Sequence, residues 1–240
     1  MNFLEAILPD YVLAQDLLKF LGLNVQVQNP ERMPDRGALL IVSNHRSFLD
    51  PLLLTSFLRT PINFVCHRYM GNVPILKELL QTCGAFPLTS QSWHQQMLQD
   101  AKNLLQQGKA VGIFPEGAAP MLNTNIPQHL SPFYRGFAHL ALQATVPHLQ
   151  ILPVGIYAGT EMRWPAVPLS LLHQIDPLEP LFQQDGWHPA VFYQDVSIRI
   201  GHPFTIDSYQ DRYHGKQAGA VVRELTQIMA AEVTYLLSQP

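Results

Sequence analysis

The sequence predicts a single α/β domain with a mostly parallel central sheet flanked by helices, led by an N-terminal amphipathic helical segment. Three observations carry this. Of 240 residues, 47% are hydrophobic and only 14% charged, against about 25% charged in ordinary domains. A chain this apolar offsets its ordering entropy by burial and does not stay disordered. Its length fits one sizeable domain better than two small ones. Short apolar runs then alternate with amphipathic stretches, the pattern of strand–helix–strand units that builds a parallel sheet with helices on its faces.

Taken in order, residues 1–23 form the N-terminal segment and 24–240 the main domain. Phe3, Leu4, Ile7, Leu8, Tyr11, Val12, Leu17, Leu18 and Leu21 recur near a 3.6 period, with Pro9 as a joint between two short helices. Such a stretch packs on the core or lies in a membrane interface. Val25 and Val27 alternate with glutamines as an edge strand. Ala38 to Val42 is a buried strand ending in a polar cluster. Pro51 to Leu58 is helical, with Asp50 or Ser47 as N-cap. Ile62 to Val65 is a strand, Val73 to Leu80 a helix and Ala85 to Leu88 extended. Ser92 to Gln107 is the strongest helix, stopped at Gly108. Ala110 to Phe114 is a buried strand running into Pro115-Glu116-Gly117. Arg135 to Ala144 is helical, Leu149 to Tyr157 a strand, Ser197 to Ile200 a late strand and Gly215 to Leu237 the closing helix. Eleven of the 20 prolines fall between Pro115 and Pro189, so 118–132 and 159–189 read as loops.

Composition narrows the function. Fifteen basic against 18 acidic residues give a net charge of -3, which argues against a nucleic-acid partner. Cys66 and Cys83 are the only cysteines and make neither a disulfide framework nor a zinc-finger spacing. No run approaches the roughly 18 apolar residues of a spanning helix. The N-terminus lacks a basic region and a small-residue cleavage site, so it does not read as a signal peptide. The chain is expected to stay on the cytoplasmic side of a membrane, where low charge and 47% apolar content leave room for peripheral contact with lipid.

Two polar clusters carry the chemistry, each just after a buried strand, where open α/β sheets bind ligands. The first is Asn44-His45-Arg46-Ser47-Phe48-Leu49-Asp50-Pro51. On one helix His45 and Asp50 would stand about 140° apart. They meet only if His45 lies in the loop and Asp50 in the first turn of the next helix. A carboxylate on one imidazole nitrogen then fixes the tautomer, and the other nitrogen can take a proton from a hydroxyl. The plain alternative is a helix cap beside a polar loop residue. The second cluster is Phe114-Pro115-Glu116-Gly117, a turn that would hold the Glu116 carboxylate over the sheet end to accept hydrogen bonds from a polyol. Its plain alternative is a surface turn.

Together, about 70 residues apart, the clusters resemble the signature of the glycerolipid acyltransferases related to lysophosphatidate acyltransferase. Gly84-Ala85-Phe86-Pro87, Phe133-Tyr134-Arg135-Gly136, Ile151-Leu152-Pro153-Val154-Gly155-Ile156 and Gly201-His202-Pro203-Phe204 are similar to further landmarks of that family, in the same order. The resemblance implies acyl transfer from a thioester, acyl-coenzyme A or acyl carrier protein, to a hydroxyl of a lysophospholipid or related lipid alcohol, without cofactor or metal. It makes His45 the general base and Asp50 its orienting partner. Asn44, Arg46, Ser47, Phe114, Pro115, Glu116, Gly117 and Arg135 would bind substrate. Backbone N–H groups near the first motif are the candidate oxyanion donors.

The departures from the family pattern are specific. Ser90 stands where the second motif ends in arginine, Ala118 and Ala119 where the third continues with threonine and arginine, and His67 where a lysine is expected. Losing two arginines removes roughly 1.5–3 kcal/mol of phosphate binding each, so the acceptor is expected to lack a phosphomonoester unless Arg46, Arg68 or Arg135 compensates. A catalytically weak member that binds lipid or a protein partner is the alternative. A metal-assisted hydrolase on His45 and Asp50 lacks a third ligand.

Overall fold

Alternating short strands and helices close into one sheet covered on both faces. The structure is a computed structural model and describes residues 11–35, 37–58, 60–65, 93–117, 119–123 and 129–239. In chain order its elements are α1 (Tyr11–Phe20), β1 (Asn24–Gln28), β2 (Leu39–Ser43), α2 (Asp50–Leu58), β3 (Ile62–Phe64), α3 (Trp93–Gln106), β4 (Ala110–Ile113), α4 (Ala119–Asn123), α5 (Gly136–Gln143), β5 (Gln150–Pro168), α6 (Leu169–Ile175), β6 (Trp187–Ile200), β7 (Phe204–Thr205), α7 (Asp207–Arg212) and α8 (Ala218–Ser238). The helix expected over 73–80, the strand over 85–88, residues 3–8, Cys66, His67, Arg68, Ser90 and Ala118 lie outside the described residues.

Among the described residues the strand order is β1-β6-β5-β2-β4-β3, with β7 beside the start of β5. Strands β5, β2, β4 and β3 run parallel. β6 is antiparallel to β5 and β1 is parallel to β6. The expected parallel sheet is therefore the half of the molecule formed by β5, β2, β4 and β3, and β1 is the edge the alternating valines indicate. β2 at the centre is buried along its whole length. Its side chains alternate between two cores. Leu39 and Ile41 join Leu52, Leu53 and Leu54 of α2 and Leu18 of α1. Leu40 and Val42 join Leu105 of α3, Phe137 and Leu140 of α5 and Leu225 and Met229 of α8.

Two expectations need correction. Residues 159–189 are not one loop. β5 continues to Pro168 and β6 already begins at Trp187, pairing Glu161 with Tyr193, Arg163 with Val191 and Pro165 with Pro189. Beyond the sheet these strands pair only with each other among the described residues, so each has an outer edge that needs no N–H donor. Proline is tolerated there. Register shifts near Thr160 and between Pro165 and Val167 break the alternation that marks a strand. The second is the membrane-interface alternative for the N-terminal segment, which does not hold at Leu18. Leu18 is fully buried in the core cluster that includes α2, and Gln15 Nε2 of α1 donates to the Ser56 carbonyl of α2 at 2.7 Å. Phe20 and Leu21 are exposed instead.

Candidate active site

β2 and β4 are neighbours, so the loops after them meet at one end of the sheet. At the end of β2 the Asn44 side chain takes over the pairing. Its Nδ2 donates to the Ile156 carbonyl at 2.9 Å and its Oδ1 accepts from the Ile156 N–H at 2.7 Å. With its partner on β5 met by a side chain, the backbone is free to turn away and lift His45 from the sheet. The chain then turns through Ser47, whose Oγ accepts from the Leu49 N–H at 3.1 Å and donates to the Val191 carbonyl at 2.5 Å. α2 starts at Asp50.

Asp50 does not cap its helix. Its carboxylate reaches back, and Oδ2 accepts from Arg46 N–H at 2.8 Å, Ser47 N–H at 2.9 Å and His45 Nδ1 at 2.8 Å. Oδ1 accepts from the Tyr193 hydroxyl at 2.6 Å. The aspartate is fully buried and acts only as an acceptor. Nδ1 of His45 therefore carries the proton, and Nε2 is the nitrogen that can receive one. The imidazole is also held from its face. It stacks on Phe114 with ring centroids 4.2 Å apart and planes 13° apart, and Phe114 lies parallel to Phe64 at 5.4 Å. Phe64 pairs with Gly112 of β4. A Cβ on Gly112 would collide with the Phe64 ring, so glycine is what lets that ring lie across β4.

Phe114–Gly117 is a tight turn closed by the Gly117 N–H on the Phe114 carbonyl at 3.0 Å, with Gly117 at φ 64°, a conformation that suits glycine. The turn turns Glu116 inward. Oε1 accepts from the His45 N–H at 3.0 Å and Oε2 from the Ser131 N–H at 2.5 Å. Only 1% of Glu116 is exposed, and burial raises its carboxyl above the ordinary value, against the pull of the two N–H donors and His45. Glu116 is thus a brace between the β2 loop and residue 131. The expectation that it faces a polyol is not met, because both oxygens are taken and solvent does not reach them. Pro115 is buried and gives its carbonyl to the Tyr134 N–H at 2.9 Å. Arg135 is exposed at the start of α5.

Arg46 is also placed otherwise than expected. Its guanidinium makes a two-pronged pair with Glu161 of β5, at 3.0 and 2.7 Å, with both side chains almost wholly buried. It is committed to the β5–β6 hairpin and does not stand ready for a phosphate. The backbone donors expected for an oxyanion are likewise committed at three positions: His45 N–H to Glu116, and Arg46 and Ser47 N–H to Asp50. Tyr193, Glu161 and Phe64 escaped the sequence reading. Phe64 falls in an expected strand without a role, Glu161 lies in the stretch expected as a loop, and Tyr193 falls between that loop and the late strand at 197–200. Val191, Tyr193 and Val196 to Ile200 carry a strand-like pattern, interrupted at Asp195. Among the described residues, no three His, Cys, Asp or Glu gather as a metal site.

A model of the acyltransferase family matches residues 24–157, more than half of the chain. The human 1-acyl-sn-glycerol-3-phosphate acyltransferase beta is 32% identical over 141 residues, 56% of this chain and 47% of that protein. The 1-acyl-sn-glycerol-3-phosphate acyltransferase of Borreliella burgdorferi is 24% identical over 138 residues, 57% of this chain and 52% of that protein. The chain spans about half the length of these curated relatives. The fold is shared with the solved 1-acyl-sn-glycerophosphate acyltransferase PlsC of Thermotoga maritima, with a TM-score of 0.56, 17% identity, and coverage of 98% of this chain and 81% of that one.

Proposed function

The chain belongs to the acyltransferase family, and we propose that it moves a fatty acyl group from an acyl thioester to a hydroxyl of a lysophospholipid or related lipid alcohol. The observation that carries this reading is the buried His45–Asp50 pair, 2.8 Å apart at the end of β2. The acceptor hydroxyl gives its proton to His45 Nε2 as its oxygen attacks the thioester carbonyl. Asp50 holds the ring and stabilises the imidazolium that forms. The tetrahedral intermediate collapses, the carbon–sulfur bond breaks, and the leaving thiolate takes the proton back from His45. The products are the acylated lipid and free thiol, so no acyl-enzyme and no cofactor enter the cycle. Donor thiols of this kind are coenzyme A or acyl carrier protein.

The acceptor follows from what stands near the dyad. Arg46 is neutralised by Glu161, and Ala119 occupies the position of a family arginine. This favours a lysolipid without a terminal phosphate, with Arg135 as an exposed cation at the start of α5, next to Tyr134, whose N–H bonds the Pro115 carbonyl. The lysolipid acceptor and its acylated product partition into a bilayer, so the protein works at a membrane surface, on its cytoplasmic side. Residues 1–23 act as the attachment segment and 24–240 as the acyltransferase domain. No helix among the described residues is long and apolar enough to cross a membrane. Phe20, 87% exposed, and Leu21 present apolar surface at the end of α1.

A panel of lysolipids with labelled acyl-coenzyme A and acyl carrier protein thioesters tests the proposal. Label passes into a diacyl lipid, and lysophosphatidate is a poorer acceptor than a diester or uncharged lysolipid. A specificity constant for lysophosphatidate well above all others overturns the acceptor assignment. Binding of lysolipid with no transfer from either donor overturns the enzyme and selects a lipid-binding role.

A further inference from the structure

The loop that carries the dyad is clamped by the β5–β6 hairpin. Three of its residues reach three hairpin positions in one patch: Arg46 to Glu161, the Ser47 hydroxyl to the Val191 carbonyl, and Asp50 to the Tyr193 hydroxyl. Glu161 and Tyr193 are register partners, and Val191 lies two residues along the same strand face. The hairpin residues from 159 onward lie beyond the segment matched by the family model, which ends at residue 157.

We infer that Tyr193 is a positioning residue of the acyl-transfer site, acting through Asp50. The inference rests on the acyl-transfer reading of the dyad. The other three donors to Asp50 all bind Oδ2 and come from the loop itself, at residues 45, 46 and 47. They fix one oxygen and leave the carboxylate able to swing about it. The 2.6 Å bond from Tyr193 to Oδ1 fixes the second oxygen from an element 143 residues away in sequence. With both oxygens set, Oδ2 is aimed at His45 Nδ1. The hydroxyl is suited to this task. Tyr193 is 1% exposed, and burial together with the Asp50 charge pushes its phenol well above the ordinary value, so it stays a donor throughout the working pH range. Removing the hydroxyl while keeping the ring strands a buried carboxylate oxygen without a donor.

The test compares wild type, Tyr193→Phe, Asp50→Asn and the double variant in thiol release, with thermal melts as a check on folding. Tyr193→Phe lowers kcat by about 10- to 100-fold, the worth of one hydrogen bond to a charged group, with KM for both substrates unchanged. In the Asp50→Asn background the same change has little further effect, because residues acting as a unit are non-additive. The low-field proton resonance of the His45 Nδ1–H moves downfield in Tyr193→Phe, since a carboxylate with one donor fewer accepts that proton more strongly. A change that lowered kcat equally in both backgrounds would make Tyr193 a structural residue only. An unchanged kcat and an unmoved resonance overturn the inference outright. If wild-type protein transfers no acyl group, the reading of the dyad fails, while the proton resonance still reports whether Tyr193 positions Asp50.

Discussion

His45 and Asp50 meet because the chain between them turns, and each turn has a residue behind it. Asn44 ends the strand pairing, Ser47 bends the loop, and Asp50 gathers the donors that bend leaves. Glu116 adds the tie to the neighbouring strand, and its titration gives a prediction. Burial raises its carboxyl above 4.5, so the folded chain keeps a proton there at pH values where the unfolded chain has released it. The stability linked to this group is full below 4.5 and falls as pH rises through the folded value. Glu116→Gln does not titrate. In urea unfolding between about pH 4 and 7, the wild-type advantage over this variant shrinks as pH rises; a constant or growing advantage contradicts the buried-brace assignment. That His45, Asp50 and Glu116 belong to one site was legible only because both polar clusters follow short apolar runs and together resemble a family signature; taken alone, each has its plain alternative of a helix cap or a surface turn. Which way Glu116 points was not legible, since an inward turn and an outward one use the same Pro-Glu-Gly. Arg46 could not be read either, because its partner comes from a segment 115 residues later.

At the level of elements, the central strands and the long helices were plain from periodicity. The β5–β6 hairpin was hidden by its prolines and bulges, although it holds the loop that carries His45 and Asp50. The Arg46–Glu161 pair measures how much it holds. Glu161→Gln leaves a buried guanidinium uncompensated and costs about 3–5 kcal/mol, whereas Arg46→Met with Glu161→Leu recovers most of that loss. Equal stability of the single variant and wild type in urea melts would show that the pair holds nothing. On the other side of the site, Gly112→Ala drives a methyl into Phe64 and disturbs the Phe64–Phe114–His45 stack. The expected cost is about 1–3 kcal/mol of overpacking, with a lower kcat. A melt and a turnover both matching wild type would mean the stack moves without consequence.

The whole molecule brings a buried dyad to one end of a sheet and offers little charge to attract a bilayer. Its net charge is -3, and Lys19 is the only basic residue among the first 30. The proposed attachment to a membrane would therefore rest on apolar side chains such as Phe20 and Leu21, which salt does not screen, whereas charge attraction fades over a Debye length of about 3 Å at 1 M. The protein stays with sedimented membranes in 1 M salt and leaves in mild detergent; release by salt alone refutes apolar attachment. The central claim, that His45 takes the acceptor's proton, is tested most directly by free-thiol release from acyl-coenzyme A with an added lysolipid, for wild type and His45→Ala. Wild-type release depends on the lysolipid and drops by about 10²–10⁴ in the variant, whose melting is unchanged. Equal turnover by a folded His45→Ala protein contradicts it.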